Sequence, residues 1–350
     1  MKILIACNKN SYKNPYVQTL ANSLSKIGCN VVCSLAEFWN PSSKYSIVHI
    51  QWPDLLIKTP WDDCEKIEKQ LNYFKKGGSQ LFVTCHNLIP HYSHNSAVLK
   101  SYKIVYENAD CIIHLGEKSI ELLKDQLPNI KAKHIVIPHH SYDSIYNIQI
   151  DKEKSRKILK IPPNAKCILS FGTFRDDEER NMILSLSKDK NQNYYFLMPG
   201  FFRDAIIRKN ILLGIKNFFR FFKYSFIAWK NNIAMSHRYI SEEMVPIYMS
   251  AADVLLIQRK KILNSGNVSL GMFFGLPIVG PNKGNVGSIL EKTGNYIFDV
   301  DNITTLRSAI AKAVSDKNIG NFNRLYATTY LKTDDIAKKL YEVYKQFCIG

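Results

Sequence analysis

The feature that most constrains this chain is an alternation of short apolar runs with stretches of helical periodicity. In the first half the apolar runs fall at 2–7, 30–34, 46–51, 80–85, 111–115 and 134–138, and segments with helical spacing fall near 15–27, 63–76, 97–108 and 119–126. Strands separated by helices cannot pair as hairpins, so such an alternation predicts a parallel sheet covered by helices. It stops at 142–160, where the sequence turns polar and charged, and resumes after Pro162-Pro163. New runs follow at 167–171, 195–198, 232–235, 254–258, 277–279 and 296–298, and Asp301 or Asn302 caps a further helix through Val314. The prediction is two α/β, Rossmann-like domains, 1–150 and 151–332, and a closing helix within 333–350 that packs back across their junction. A length of 350 residues suits two domains at about 100–200 residues each.

Ligands of open parallel sheets sit at the carboxyl ends of the strands. Polar residues gather there in the first half: Asn8 to Ser11, which includes Asn10, then Gln51-Trp52, His86-Asn87 and His139-His140. In the second half the stretch from Ile262 to Leu290 reads as a strand exit, a polar turn, a short helix, a buried strand and a second Gly/Asn turn. Asn264, Ser265, Gly266 and Asn267 favour caps and tight turns, and the following helix would aim free N–H groups at whatever the turn holds. Such an end suits an anion, most often a phosphate. An ordinary capped helix reads the same way.

The formal charge of +17 calls for an acidic partner, and nucleic acid, an anionic membrane or a phosphorylated substrate would each serve. The eight cysteines are scattered without a C-x-x-C pair, several of them inside apolar runs, which indicates reduced core thiols and a cytoplasmic setting. MKILIACNKN is too short in its apolar part for a signal peptide, and no window is apolar enough to span a bilayer. The segment from Phe201 to Lys230 is aromatic and basic, with Lys209, Lys216, Lys223 and Lys230 spaced by sevens. As a helix it would either rest on an anionic membrane surface or pack on the domain with a solvated lysine face.

Taken together, several of these residues resemble a known family. His86-Asn87-x-x-Pro90-His91, Val48-His49-x-Gln51-Trp52-Pro53 and Pro138-His139 with Tyr142 and Tyr146 resemble the N-terminal half of GT-B glycosyltransferases. Tyr239-Ile240, Ala252-Asp253 and the run from Gly275 to Val279 resemble their C-terminal half. More narrowly the set resembles family 4-type enzymes of bacterial capsule and exopolysaccharide synthesis. The resemblance implies a GT-B fold with a cleft between its domains, a UDP- or GDP-sugar donor held by the second domain, and an acceptor, polyprenyl-diphosphate-linked or oligosaccharide, held by the first. It implies donor contacts at Gly172, Thr173, Arg175, Tyr239, Asn264, Ser265, Gly266 and Asn267, with Arg175 facing phosphate. Acceptor contacts fall at Asn10, Trp52, Asn87 and His139. His86 would meet the transferring sugar, and His91 competes with it for any role as general base, for which an imidazole near its ordinary pKa of about 6.5 is suited.

Two departures matter. Where relatives often carry a second cation three residues after the arginine, this chain has Glu178, so either Arg180 replaces it, or Arg259 does as a further donor contact, or the site is less cationic than usual. The two glutamates of the family's E-x7-E motif align with Ile262 and Leu270, and the polar turn at 264–267 resembles an Asn-Ser-Gly variant that could substitute amides, a hydroxyl and N–H groups. No D-x-D pair follows a strand, and Asp62-Asp63 and Asp176-Asp177 read as helix starts, so neither a metal nor another cofactor is expected. Two other functions fit less well. A nucleotide-sugar 2-epimerase on the same fold would need catalytic carboxylates that are not evident, and a nucleic-acid-binding protein would need a recognition motif.

Overall fold

The computed structural model describes residues 1–8, 15–57, 64–89, 96–146, 150–188, 193–202, 211–235 and 240–348, except for the side chains at 211–214 and 216. The chain divides into two compact units, Met1–Ile145 with Thr329–Gly350, and Tyr146–Thr328.

The first unit holds β1 (Lys2–Ile5), β2 (Asn30–Cys33), β3 (Ile47–Ile50), β4 (Gln80–Cys85), β5 (Cys111–His114) and β6 (Lys133–Val136). They form one sheet in the order β2-β1-β3-β4-β5-β6, every pair parallel. Ile3, Leu4, Ile5, Val48, Phe82, Val83 and Ile112 lie fully buried in it, because helices cover both faces of a parallel sheet and leave no wet side. The chain leaves β1 on one side to make β2 and returns on the other to make β3. The crevice beyond β1 and β3 is therefore the topological switch point of this unit.

The C-terminal helix Thr333–Cys348 belongs to this first unit. Asp143 anchors its start by accepting from the Thr333 N–H at 2.8 Å and the Thr333 hydroxyl at 2.6 Å. Ser23, on the helix Tyr16–Lys26, donates to Asp334 at 2.6 Å. Further along, the Tyr344 hydroxyl reaches His49 Nδ1 at 2.5 Å, and the other ring nitrogen meets the Thr84 hydroxyl at 2.8 Å. His49 stands mid-strand and has no water to solvate a charge, so burial pulls its pKa down to about 3.

The second unit repeats the plan with β7 (Lys166–Leu169), β8 (Tyr194–Met198), β9 (Ile233–Met235), β10 (Val254–Leu256), β11 (Ile278–Pro281) and β12 (Tyr296–Phe298). Their order is β12-β11-β10-β7-β8-β9, again all parallel, with the switch point between β7 and β10. Asn302 caps the helix Ile303–Ser315, its side chain accepting from the Thr304 N–H.

Residues Ile211–Lys230 form one long helix. Among its described side chains Asn217, Tyr224 and Ala228 are buried, and they fix which side meets the core. The side away from the core is mainly aromatic, with Ile215, Phe218, Phe219, Phe222, Phe226 and Trp229 exposed. The helix thus packs on the domain with Lys223 and Lys230 exposed, as one reading expected, and with an exposed aromatic stripe beside them. Lys209 lies outside the described residues, as does the side chain of Lys216.

Several histidines are buried and neutral. Burial lowers His49, His114 and His140 to about 3 and His139 to about 4. Unfolded histidine titrates near 6.5, so below that pH the unfolded chain binds protons that the folded chain refuses. The stabilisation is complete above pH 6.5 and is lost as pH falls toward 3, by at most about 1.4 kcal/mol per pH unit for each histidine. Thermal melts from pH 7.5 down to pH 5 should show a progressively lower midpoint. A flat profile would mean that these side chains are not held neutral.

Candidate functional site

In the second unit the candidate donor residues converge at the switch point. The loop after β7 begins with Ser170, whose hydroxyl donates to Gln258 Oε1 at 2.5 Å just beyond β10. This bond ties together the two strand ends that flank the crevice. Gln258 is buried, and its Nε2 has no hydrogen-bond partner among the described residues. Next comes Gly172 at φ +114°, in the left-handed region that glycine enters without strain. The loop turns so tightly that a Cβ on Gly200 would lie 1.8 Å from the Gly172 carbonyl oxygen. Gly200 in turn accepts from the Phe174 N–H at 3.0 Å.

Ser265 is the N-cap of the helix Gly266–Phe273, although its hydroxyl makes no capping bond. Asn267 Nδ2 donates to the Phe171 carbonyl, which joins the polar turn to the loop after β7. A Cβ on Gly172 would lie 3.7 Å from Asn267 Nδ2 and 4.0 Å from Arg259 Nη2. Asn264 accepts from Asn285 Nδ2 at 2.7 Å, at the start of the helix Gly284–Lys292. Arg175 donates from Nη1 to the Lys261 carbonyl at 3.0 Å. Gly172, Arg175, Arg259, Asn264, Ser265, Gly266 and Asn267 thus share one neighbourhood, and Thr173 sits in its loop. Tyr239 lies outside the described residues.

The acidic run after Arg175 is consumed by several cations. Asp176 caps the helix Asp177–Ser187 by accepting from the Glu179 N–H, as a helix start should. Glu179, only 2% exposed, accepts from Arg259 at 2.7 Å and from the Arg175 N–H at 2.8 Å. Glu178 pairs with Lys260 at 3.1 Å, so a lysine from the next loop stands beside the carboxylate found where relatives carry a cation. Arg180 does not replace that cation. Its guanidinium is buried, bonded to the Phe201 carbonyl and Asp177 and lying over the Phe202 and Tyr224 rings. Arg259 instead lies beside Gly172, held there by Glu179.

In the first unit the residues at the ends of β3 and β4 stack. The rings of Trp52 and His86 lie 4.7 Å apart, nearly parallel, and His86 Nε2 meets Gln51 Oε1 at 3.0 Å. A carbonyl oxygen only accepts, so the proton is on His86 Nε2 and Nδ1 keeps its lone pair. Tyr16 stands edge-on to His86 at 5.2 Å, stacks on His140 at 4.8 Å and touches His139 at 4.5 Å. Burial, then the neighbouring His139 and His49, hold the His86 pKa well below the ordinary value. His86 is therefore a weaker base than the expected imidazole near 6.5, because the surrounding rings leave its cation poorly solvated. Asn87 lies beside the cluster, its carbonyl accepting from the Tyr106 hydroxyl at 2.5 Å. Asn10 and His91 lie outside the described residues, as do Asp62 and Asp63. Among the described residues no group of three or more His, Cys, Asp or Glu could hold a metal ion.

Sequence reasoning missed Tyr16, Ser170, Glu179 and Gln258 as parts of these sites. Tyr16 is the first residue of a helix and carries no motif. Ser170 and Gln258 are 88 positions apart, and only the strand order makes them neighbours.

Neither a protein-family model nor a curated protein matches the sequence. Solved structures do match the fold. Sucrose-phosphate synthase from Thermosynechococcus elongatus superposes with a TM-score of 0.75 at 14% identity, covering 99% of this chain and 98% of that one. HepE of Anabaena, in complex with UDP and glucose, gives 0.69 at 12% identity over 99% and 100% of the two chains. A glycosyltransferase from Rickettsia africae gives 0.68 at 16% identity over 99% and 98%. With its two parallel six-stranded sheets and this full-length likeness, the chain has the GT-B fold of nucleotide-sugar glycosyltransferases.

Glu179 neutralises a largely buried arginine and also holds the Arg175 backbone. Removing one partner of such a pair costs about 3–5 kcal/mol. Glu179→Ala should therefore lower unfolding stability by about that amount in a denaturant titration, while Glu178→Ala, at an exposed pair, should cost under about 1 kcal/mol. Equal effects would remove Glu179 from its supporting role.

Proposed function

We propose that the chain is a glycosyltransferase that moves a sugar, most simply a hexose, from a UDP- or GDP-sugar to a lipid-linked or oligosaccharide acceptor. We place it in capsule, exopolysaccharide or related glycan synthesis, in the cytoplasm at the inner face of the membrane. The observation that carries the reading is the cluster at the switch point of the second unit. There two arginines, Arg175 and Arg259, share a neighbourhood with a tight glycine loop and the N-terminus of the helix Gly266–Phe273. The first N–H groups of a helix have no partners within it, and together with two guanidinium groups they suit a diphosphate. HepE, on the same fold, is described with UDP and glucose.

In the proposed reaction the bond between the anomeric carbon and the diphosphate oxygen breaks. A bond from an acceptor hydroxyl oxygen to that carbon forms, and the hydroxyl proton passes to the departing diphosphate oxygen or to a histidine base. Negative charge develops on the departing diphosphate, and cationic and N–H donors fixed beforehand lower the barrier most. Arg175, Arg259 and the N–H groups of Gly266 and Asn267 fill that role, which in other transferases a metal ion shares. Gly172, Thr173 and Tyr239 contribute further donor contacts, and the side chains of Asn264, Ser265 and Asn267 take the place of the missing E-x7-E carboxylates. On the acceptor side we assign contacts to Asn10, Trp52, Asn87 and His139. His86, whose protonated form burial disfavours, hydrogen-bonds the transferring sugar in this reading. His91 competes with it for any proton transfer.

Calorimetry with UDP, GDP and their sugars tests the assignment. Arg175→Ala should weaken nucleotide binding by at least about tenfold, the loss of a charge-assisted contact. An unchanged affinity, or binding of a DNA duplex with no nucleotide binding, would overturn the reading.

His86→Ala separates chemistry from binding. Nucleotide affinity should be nearly unchanged, while turnover with acceptor falls by about a hundredfold or more, the range for losing one hydrogen-bond group aimed at the transition state. Unchanged turnover would remove His86 from the mechanism.

A further inference from the structure

We infer that the outward face of the Ile211–Lys230 helix docks the chain on an anionic lipid bilayer. This deepens the membrane-face location proposed above and does not depend on the sugar chemistry. The helix is already held on one side. Tyr224 donates to Asp177 at 2.8 Å and stacks on Phe202 with centroids 5.6 Å apart, and Asn217 and Ala228 are buried with it.

At about 100° per residue, Ile215, Phe218, Phe219, Phe222, Phe226 and Trp229 fall on a single stripe on another side. Phe219, Phe226 and Trp229 are 68, 62 and 77% exposed. The rings touch one another along the stripe, Phe218 with Phe222 at 4.7 Å and Phe226 with Trp229 at 6.0 Å. Single exposed apolar side chains need no explanation, but a contiguous row of six marks an interaction surface.

The charges around the stripe select the occupant. Lys223 and Lys230 are exposed along one edge, Arg220 beyond them pairs with Asp177, and the sequence from 211 to 230 contains no Asp or Glu. Two copies joined through this stripe would bring lysines together with no carboxylate on either helix to meet them. A bilayer with anionic headgroups satisfies both parts, the aromatic rings entering the boundary region and the lysines meeting the headgroups. Among the described residues no helix is long and apolar enough to cross a membrane, so this helix would lie in the plane of the surface.

Flotation of the full chain with vesicles tests the inference. The native chain should float with phosphatidylcholine–phosphatidylserine vesicles and stay behind with phosphatidylcholine alone. Replacing Phe219, Phe226 and Trp229 together by serine should cut partitioning at least about tenfold, and Lys223→Gln and Lys230→Gln should each cut it about fivefold. Circular dichroism and UDP calorimetry on the same variants should be unchanged, which separates loss of docking from loss of fold or of the donor site. Failure of the native chain to float, or equal flotation of the serine variant, would overturn the inference. So would a dimer, seen by ultracentrifugation, that the serine variant abolishes, since a second copy would then be the occupant. If nucleotide binds but vesicles do not, the transferase reading stands and the docking face falls.

Discussion

Parallel pairing is the constraint on which the rest of the molecule depends. Because all strands of a sheet point the same way, their carboxyl ends lie along one edge, and the loops that follow them crowd together. In each unit the order reverses once, between β1 and β3 and between β7 and β10, and the two connections diverging there leave a crevice. The polar residues that cannot be accommodated in a doubly covered sheet are found there: Gln51, Trp52 and His86 in one unit, Ser170, Gly172, Gln258 and Arg259 in the other.

The electrostatics of the two units contrast for a physical reason. The first builds its crevice from stacked aromatic and imidazole rings, Tyr16 and His140 buried and Trp52, His86 and His139 half-buried. Its histidines are held uncharged by burial, and their protons are placed by carbonyl acceptors such as Gln51 Oε1 and the His140 backbone, which accepts from His139 Nδ1 at 2.8 Å. The second builds its crevice from charges. It keeps them by pairing the most buried of them, Arg259 with Glu179 and Arg180 with Asp177, because an unpaired buried charge costs far more than a paired one. A neutral wall suits a sugar, and a cationic one suits a phosphate.

Much of the fold was legible because the signals are local. The twelve apolar runs correspond to the twelve strands, Asn302 and Asp176 act as the caps their residue types suggest, and Thr333 opens the closing helix. The polar turn at 264–267 could also be located, since Asn, Ser and Gly before an apolar run mark a helix start wherever they occur. Less legible was the state of each side chain. Arg175, Arg180 and Arg259 look interchangeable in the sequence, yet one bonds a loop carbonyl, one is locked beneath aromatic rings and one is held beside Gly172 by Glu179. Likewise the aromatic and basic run at 201–230 could be read as a helix, but its periodicity did not say whether lysines or aromatic rings would face outward.

What the sequence determined by itself, then, was the alternation of elements, the two-unit plan and the chain positions where polar groups follow strands. These depend on neighbours within a few residues, where side-chain spacing and backbone preference act directly. The tertiary structure alone decided that Ser170 meets Gln258, that Tyr16 lies among His86, His139 and His140, and that His86 is uncharged. Contacts between residues far apart in the chain follow from strand order, and a titration state follows from how much water the packed neighbours exclude.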